Sequence, residues 1–370
     1  MKIFSFILTL LLGSITLFMV SCENQDQTFP DYDYQTVYFS YQSPIRTIVL
    51  GEDNNYDTSL DNEHKCQIYA SWGGGYTTKS DVTINFVVDE SLCDNLYYAD
   101  GSKVKPMPSK YYTLASNQIV IPKGSISGGV EVQLSDAFFA DSLSLSTTYV
   151  IPLRMVSVQN ADSILSGKAK STVTNPVLTN TSDWDVAPKN FVLYAVKYIN
   201  TWAGYYLRRG TDAVTKDGVV STISRHKQYV EYDDVWQLTT LSLNKILYPM
   251  DFQNKAGIDL NVSLALNFSD DYNFTVGAQQ SSIQVNDSVR VYEINASGSG
   301  KFVQSGEKNS WGNKDRDALY MNYKVTYKVE NKYPKAGLTT NYQNVTYNTT
   351  DTLVARNRGV TSATFTYTKN

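Results

Sequence analysis

The sequence predicts an all-β protein of two domains, a β-sandwich followed by a closed antiparallel β-barrel. Three observations predict it. Tyr, at 28 residues, outnumbers Phe at 14, and the Ala/Leu/Glu/Lys runs of helices are missing beyond the first twenty residues. Short stretches with period two recur along the chain, each bounded by turn residues. A length of 370 residues exceeds what one ordinary hydrophobic core serves, so the chain divides.

Lys2 precedes an apolar run from Ile3 to Val20, the pattern of a secretory signal over residues 1–21. The run ends in Met19-Val20-Ser21-Cys22, which resembles the lipobox of bacterial lipoproteins and makes Cys22 the expected lipidation site. An acyl anchor contributes roughly 0.8 kcal/mol per buried CH₂, so the expected mature protein is tethered to a membrane and does not span it. Residues 22–34 form the tether; its Glu23-Asn24-Gln25-Asp26 resembles the surface-export signal of Bacteroidetes lipoproteins.

Residues 35–178 carry the sandwich. Val37, Phe39 and Tyr41 alternate with polar neighbours, as do Val82, Ile84, Phe86 and Val88, and Val130, Val132 and Leu134. With Arg46–Leu50, Gln67–Trp72, Gln118–Pro122 and Tyr149–Val156 they make about seven strands, the usual complement of a sandwich. Gly73-Gly74-Gly75 is read as a hairpin turn that uses positive φ to send Gln67–Trp72 back toward the strand Asp81 to Val88. The linker is placed at 179–189, where polar turn residues and Pro188 interrupt the periodicity. Longer strands resume across 190–370, from Phe191–Ile199 through Gly204–Arg209 to Thr352–Arg356. About eight meandering strands suit a closed barrel, which leaves no free edge. The stretch Leu241–Phe252 is a candidate helical turn.

Four stretches in order, Asp81 to Asp89, Pro106 to Leu114, Ile119 to Gly128 and Tyr149 to Leu153, resemble the N-terminal sandwich, domain of unknown function family 1735, of Bacteroidetes surface lipoproteins. Trp202 to Gly210 and Asp351 to Gly359 are similar to the calycin-like barrel, domain of unknown function family 5627, that follows it in some of them. The resemblance implies an Ig-like sandwich and a calycin- or lipocalin-like barrel. The lipocalin Gly-x-Trp is missing, since Trp202 precedes Gly204. It also implies an outer-membrane protein of a glycan-utilisation system, exposed at the cell surface and acting beside glycan-uptake proteins, or an adhesin. It carries over no catalytic residue.

The residues themselves point away from catalysis. With 32 Lys and Arg against 36 Asp and Glu there is no basic field for a phosphate backbone, which excludes nucleic acid as a partner. His64 and His226 stand alone, at no metal-ligand spacing and without the makings of a triad, so neither a metal nor a cofactor is expected. Gly124-Ser125-Ile126-Ser127-Gly128 has Ile where a nucleophile elbow needs Ser. Asp233-Asp234 and Asp270-Asp271 are adjacent pairs whose side chains diverge on a strand, whereas glycosidase carboxyls face each other across a cleft.

Aromatic residues remain, because sugar C–H faces stack on Trp and Tyr. Trp311, in the polar stretch Glu307 to Asp317, is the first candidate, read either as a sugar platform or as a ring packed under its loop. Trp236 is the second, in a strand pattern. Trp72 and Tyr76 flank the glycines and are either packed or displayed for sugar. Trp202 and Arg356 are expected to close the barrel by stacking. Cys66 and Cys93 either pair or remain as free buried thiols. Asp141-Ser142-Leu143, Asp162-Ser163-Ile164, Asp287-Ser288-Val289 and Asp351-Thr352-Leu353 match the Asp-Ser/Thr-apolar pattern of Bacteroidetes O-glycosylation. The function expected is therefore non-catalytic binding of a polysaccharide or host glycan. The alternative is an adhesin or assembly subunit that meets another protein through sheet edges.

Overall fold

The computed structural model describes residues 32–53, 56–332 and 340–369. Cys22, the leader and the tether up to residue 31 lie outside the described residues. Strands dominate, with one large core in the sandwich and another in the barrel, as expected of that pair, and a smaller core outside the sandwich.

The sandwich has two sheets. One runs Ser163–Ile164, Thr36–Tyr38, Lys65–Gly73, Ser127–Leu134, Tyr112–Leu114. The other runs Ala363–Thr364, Pro44–Val49, Phe191–Ile199, Tyr149–Gln159, Val82–Val88, Gln118–Ile121. Alternate residues, among them Ile68, Val132, Ile84 and Ile151, meet between the sheets.

Two boundaries differ from the sequence reading. Phe191–Ile199, assigned to the barrel, lies inside the second sheet, antiparallel to Tyr149–Gln159 and parallel to Pro44–Val49. Val192, Tyr194, Val196 and Tyr198 face the inner core, while Phe191, Leu193 and Ala195 face a second, smaller core with Leu96, Val104 and Phe365. A strand buried on both faces is apolar throughout, so its pattern does not say which sheet it joins. The chain end also returns to the sandwich: Ala363–Thr364 pairs with Pro44 and Ile45, and Tyr367–Lys369 with Leu96–Tyr98. The supposed linker contains a strand of its own, Trp184–Val186, paired with Lys168–Ala169.

The glycine turn also differs. Lys65–Gly73 pairs with Thr36–Tyr38 and Ser127–Leu134, and the strand after it, Val82–Val88, lies in the opposite sheet. The glycines therefore carry the chain between sheets and do not close a hairpin. Only Gly74 of the three has positive φ, 112°, and a Cβ there would come within 2.5 Å of the Tyr34 carbonyl oxygen.

The barrel closes. Its ring is Gly204–Lys216, Asp234–Ser242, Lys245–Pro249, Ser263–Phe268, Asn273–Ala278, Val289–Glu307, Arg316–Asn331 and Asn341–Asn357, which pairs back onto Gly204–Lys216. Leu241–Phe252 holds a hairpin, Asp234–Ser242 to Lys245–Pro249, where a helical turn was a candidate. The first ring strand changes partner midway: residues 204–208 pair with 234–238, and residues 210–216 pair with Val219–Arg225. Past that split Met250, Phe252, Leu260 and Val262 of the crossing segment fill the interior. Trp202 seals one end by stacking on Phe268 at 3.8 Å, not on an arginine; Arg356 is exposed.

Candidate functional site

The four aromatic candidates do not converge. Trp72 is buried in the sandwich core, and Tyr76 is exposed beyond the glycine turn. Trp236 is half-buried; its indole N–H donates to the Pro249 carbonyl at 2.6 Å, and the Arg208 guanidinium lies 4.7 Å from its ring. Trp311 is also half-buried, with its N–H on the Ala355 carbonyl at 3.0 Å and the Arg316 guanidinium 3.6 Å from its ring. These contacts occupy the indole donors of both rings and one face of each. Trp311 thus has the geometry of a ring packed under its loop.

The barrel interior holds a charge cluster that the sequence does not reveal. Inward positions of the first ring strand include Arg208 and Asp212, and the last ring strand, paired directly with it, contributes Asp351. The Asp351 carboxylate accepts from Arg208 Nε at 3.2 Å, Arg225 Nη2 at 2.6 Å, Tyr248 at 2.9 Å and Tyr323 at 2.7 Å. Arg225 reaches Asp351 from the neighbouring strand over Gly210, where a Cβ would collide with the Asp351 carboxylate, and it also pairs with Asp212. Burial pushes the Asp351 carboxyl up, but Arg208, Arg225 and the Tyr323 hydroxyl outweigh it and hold it below the usual carboxylate range. Arg208 Nη1 stands 3.5 Å from exposed Asp251, an ion-pair distance without hydrogen-bond geometry. The cluster's charges oppose one another within it, which suits cross-bracing of the wall where the first strand changes partner.

An open site lies elsewhere, at the junction of the domains. Asn200 follows the last core strand of the sandwich and donates to the Ser242 and Lys245 carbonyls of the barrel at 2.8 and 3.1 Å. Arg358, after the last ring strand, donates to carbonyls of Leu50, Glu52, Asn200 and Ala203. Burial lowers its pKa, but an arginine keeps its charge there. These bonds fix the two walls of a cleft.

The cleft consists of adjoining hollows of about 310 and 890 Å³ that share Ile45, Leu145 and Lys197. In the smaller, the barrel presents Tyr205, Gln237 and Thr239, and Arg358 lines it too. Leu238 points into the barrel core, so strand alternation turns Gln237 and Thr239 outward. Val196 and Tyr198 point into the sandwich core, so Lys197 faces the other way. Tyr205 lies over Gly359, where a Cβ would strike its ring. The larger hollow adds Lys103, Lys105, Asp100, Thr148 and Phe365. Asp100 accepts from the Ser102 hydroxyl and backbone at 2.6 and 2.9 Å, which lowers its pKa. The wall therefore offers hydroxyl, amide and ammonium donors beside an aromatic ring, the mixture that binds polar ligands in a preformed cleft. No sequence candidate lines it, yet Gly204-Tyr205 and Arg358-Gly359, from the two stretches behind the barrel resemblance, meet there.

Groups considered for chemistry are accounted for by local structure. Asp233 accepts from Arg209 at 2.6 Å and from the Lys227 backbone, and Asp271 ties a turn to Ser269 and Asn273. The His64 ring lies 4.1 Å from Phe139. Cys66 and Cys93 are free and buried in different cores, and burial pushes each thiol up to about 12. No group of three or more His, Cys, Asp or Glu side chains suited to a metal occurs among the described residues.

Residues 201–359 match the domain of unknown function DUF5627, and residues 32–162 match a family described as an N-terminal domain. A crystal structure of a Bacteroides ovatus protein of unknown function is 48% identical, covers 92% of this chain and 100% of its own, and superposes with a TM-score of 0.80. The chain belongs to that protein's family. The DUF5627 match coincides with the barrel and ends at Gly359, in the cleft. A second Bacteroides ovatus structure of unknown function is 15% identical, over 90% of this chain and 99% of its own, with a TM-score of 0.39. A Bacteroides ovatus multidomain protein including DUF1735 is 14% identical, over 88% and 97%, at 0.38. No curated protein sequence matches the chain.

Proposed function

We propose that this chain is a non-catalytic glycan-binding protein whose ligand lies in the junction cleft. It is lipid-anchored through Cys22 at the outer membrane, exposed at the surface and part of a glycan-utilisation system. The observation that carries the reading is the cleft itself: Tyr205 supplies a ring, and Gln237, Thr239 and Lys197 supply hydrogen-bonding groups around it. Ring and donors sit on two domains fixed to each other by Arg358 and Asn200, so the site is preorganised. A binding role accounts for Asp100 as the only carboxylate that lines either hollow among the described residues, since glycoside hydrolysis uses two. A glycan array probed with the chain from Glu23 onward tests this. Retention of at least one polysaccharide, weakened tenfold or more in Tyr205→Ala and without release of shorter sugars, is expected. Silence across the array, or a hydrolysed product, contradicts the proposal.

The alternative, an adhesin or assembly subunit that uses sheet edges, is favoured by one feature. Among the described residues Val219–Arg225 pairs on one side only, and Val219 and Val220 are 71% and 69% exposed. Under that reading Val220→Lys abolishes partner binding and leaves glycan retention unchanged; under ours it changes nothing that the array measures.

A further inference from the structure

Resting on the glycan reading of the same cleft, we infer that its ligand is an acidic saccharide, carrying carboxylate or sulfate groups that Lys197, Lys103 and Lys105 recognise. The chain as a whole is acidic, with a net charge of −4, yet this cleft is lined by three lysines and Arg358 against one carboxylate. Among the described residues none of the three ammonium groups makes a salt bridge or a side-chain hydrogen bond. Elsewhere Lys65, Lys308 and Lys328 each find a carboxylate within 3.0 Å.

The acidic groups near them are already engaged. Asp100 is held by Ser102. Asp141, beside Lys105, accepts from the Tyr111 and Tyr149 hydroxyls and the Leu143 backbone. Burial raises the Asp141 carboxyl, but Tyr149, Leu143, Tyr111 and then Lys105 bring it below the usual range, so it stays ionised and bound to its own partners. Lys197 lines both hollows, the position from which one cation serves a ligand that runs the length of the cleft. Ser146, Thr147 and Thr148 give the sugar hydroxyls partners between the charges. A neutral saccharide would leave the three ammonium groups without a hydrogen-bonded counter-charge, whereas uronate or sulfate groups would form charge-assisted bonds with them.

Affinity electrophoresis of the chain from Glu23 onward distinguishes the cases. The gels contain polygalacturonate, chondroitin sulfate, or the neutral polymers dextran, xylan and mannan. The expected result is retention by one or both acidic polymers, the pair telling carboxylate from sulfate, with retention falling as salt is raised. Lys197→Glu and Lys103→Glu should each weaken it at least tenfold at an unchanged melting temperature, while Lys314→Glu, outside the cleft, should not. Retention by neutral polymers only, or acidic retention indifferent to both cleft variants, overturns this inference and leaves the glycan reading standing. Retention by none of the polymers overturns both.

Discussion

Asp351 is the residue on which the barrel interior turns. It binds two arginines and two tyrosines, so Asp351→Asn should cost about 3–5 kcal/mol by leaving Arg208 and Arg225 underpaired in a buried place. Its folded pKa lies below the unfolded value of roughly 4, so its stabilisation is full above that value and is lost as pH falls through the folded pKa. Chemical denaturation from pH 6 to pH 2 should therefore show a steeper loss for the parent than for Asp351→Asn. Gly210→Ala drives a methyl into the same carboxylate and should cost about 1–3 kcal/mol or more. The buried thiols make a separate test: with both pushed up to about 12, iodoacetamide at pH 8 should label Cys66 and Cys93 only after denaturation. Little of this was legible in the sequence. Arg208-Arg209 reads as two solvated charges, and period two alone does not say that the first points inward to a partner 143 positions away.

At the scale of elements, the strands were readable and their partners were not. Val82–Val88, Gln118–Ile121, Ser127–Leu134 and the later barrel strands carry alternation that one buried face imposes on its own sequence. Phe191–Ile199 is buried on both faces, which erases alternation and with it any mark of its sheet. Val219–Arg225 was missed because nearly every residue in it is exposed. Trp311 stayed open between display and packing because a polar stretch fits both, and Arg316 and Ala355 hold the ring down. The connection between domains is likewise made by residues without periodicity. Arg358→Ala removes donors to four carbonyls and should destabilise the junction by ~3 kcal/mol or more. Calorimetry should then resolve two transitions where the parent shows closer coupling, and Arg358→Lys should rescue poorly because one ammonium cannot reach the same set of acceptors.

For the whole molecule, the two-domain architecture was legible in length, composition and repeated period-two strands, while the site was not. The cleft exists only because the chain enters the barrel at Asn200 and leaves it at Arg358, which bonds Asn200 and Leu50 at the same end of the second sandwich sheet. No window of sequence shows those two ends together. Trp311, Trp236, Trp72 and Tyr76 each stand out singly in the sequence, whereas a binding surface is made by convergence. The proposed anchor has its own test: Cys22→Ala should abolish incorporation of labelled fatty acid and release the protein from membranes. The most direct test of the central claim is a crystal structure of the chain with a retained glycan. Sugar density is expected between Tyr205, Gln237 and Lys197, with both domains in contact with the ligand. Density confined to Trp311, Trp236 or the Trp72–Tyr76 turn, with the cleft empty, would contradict it.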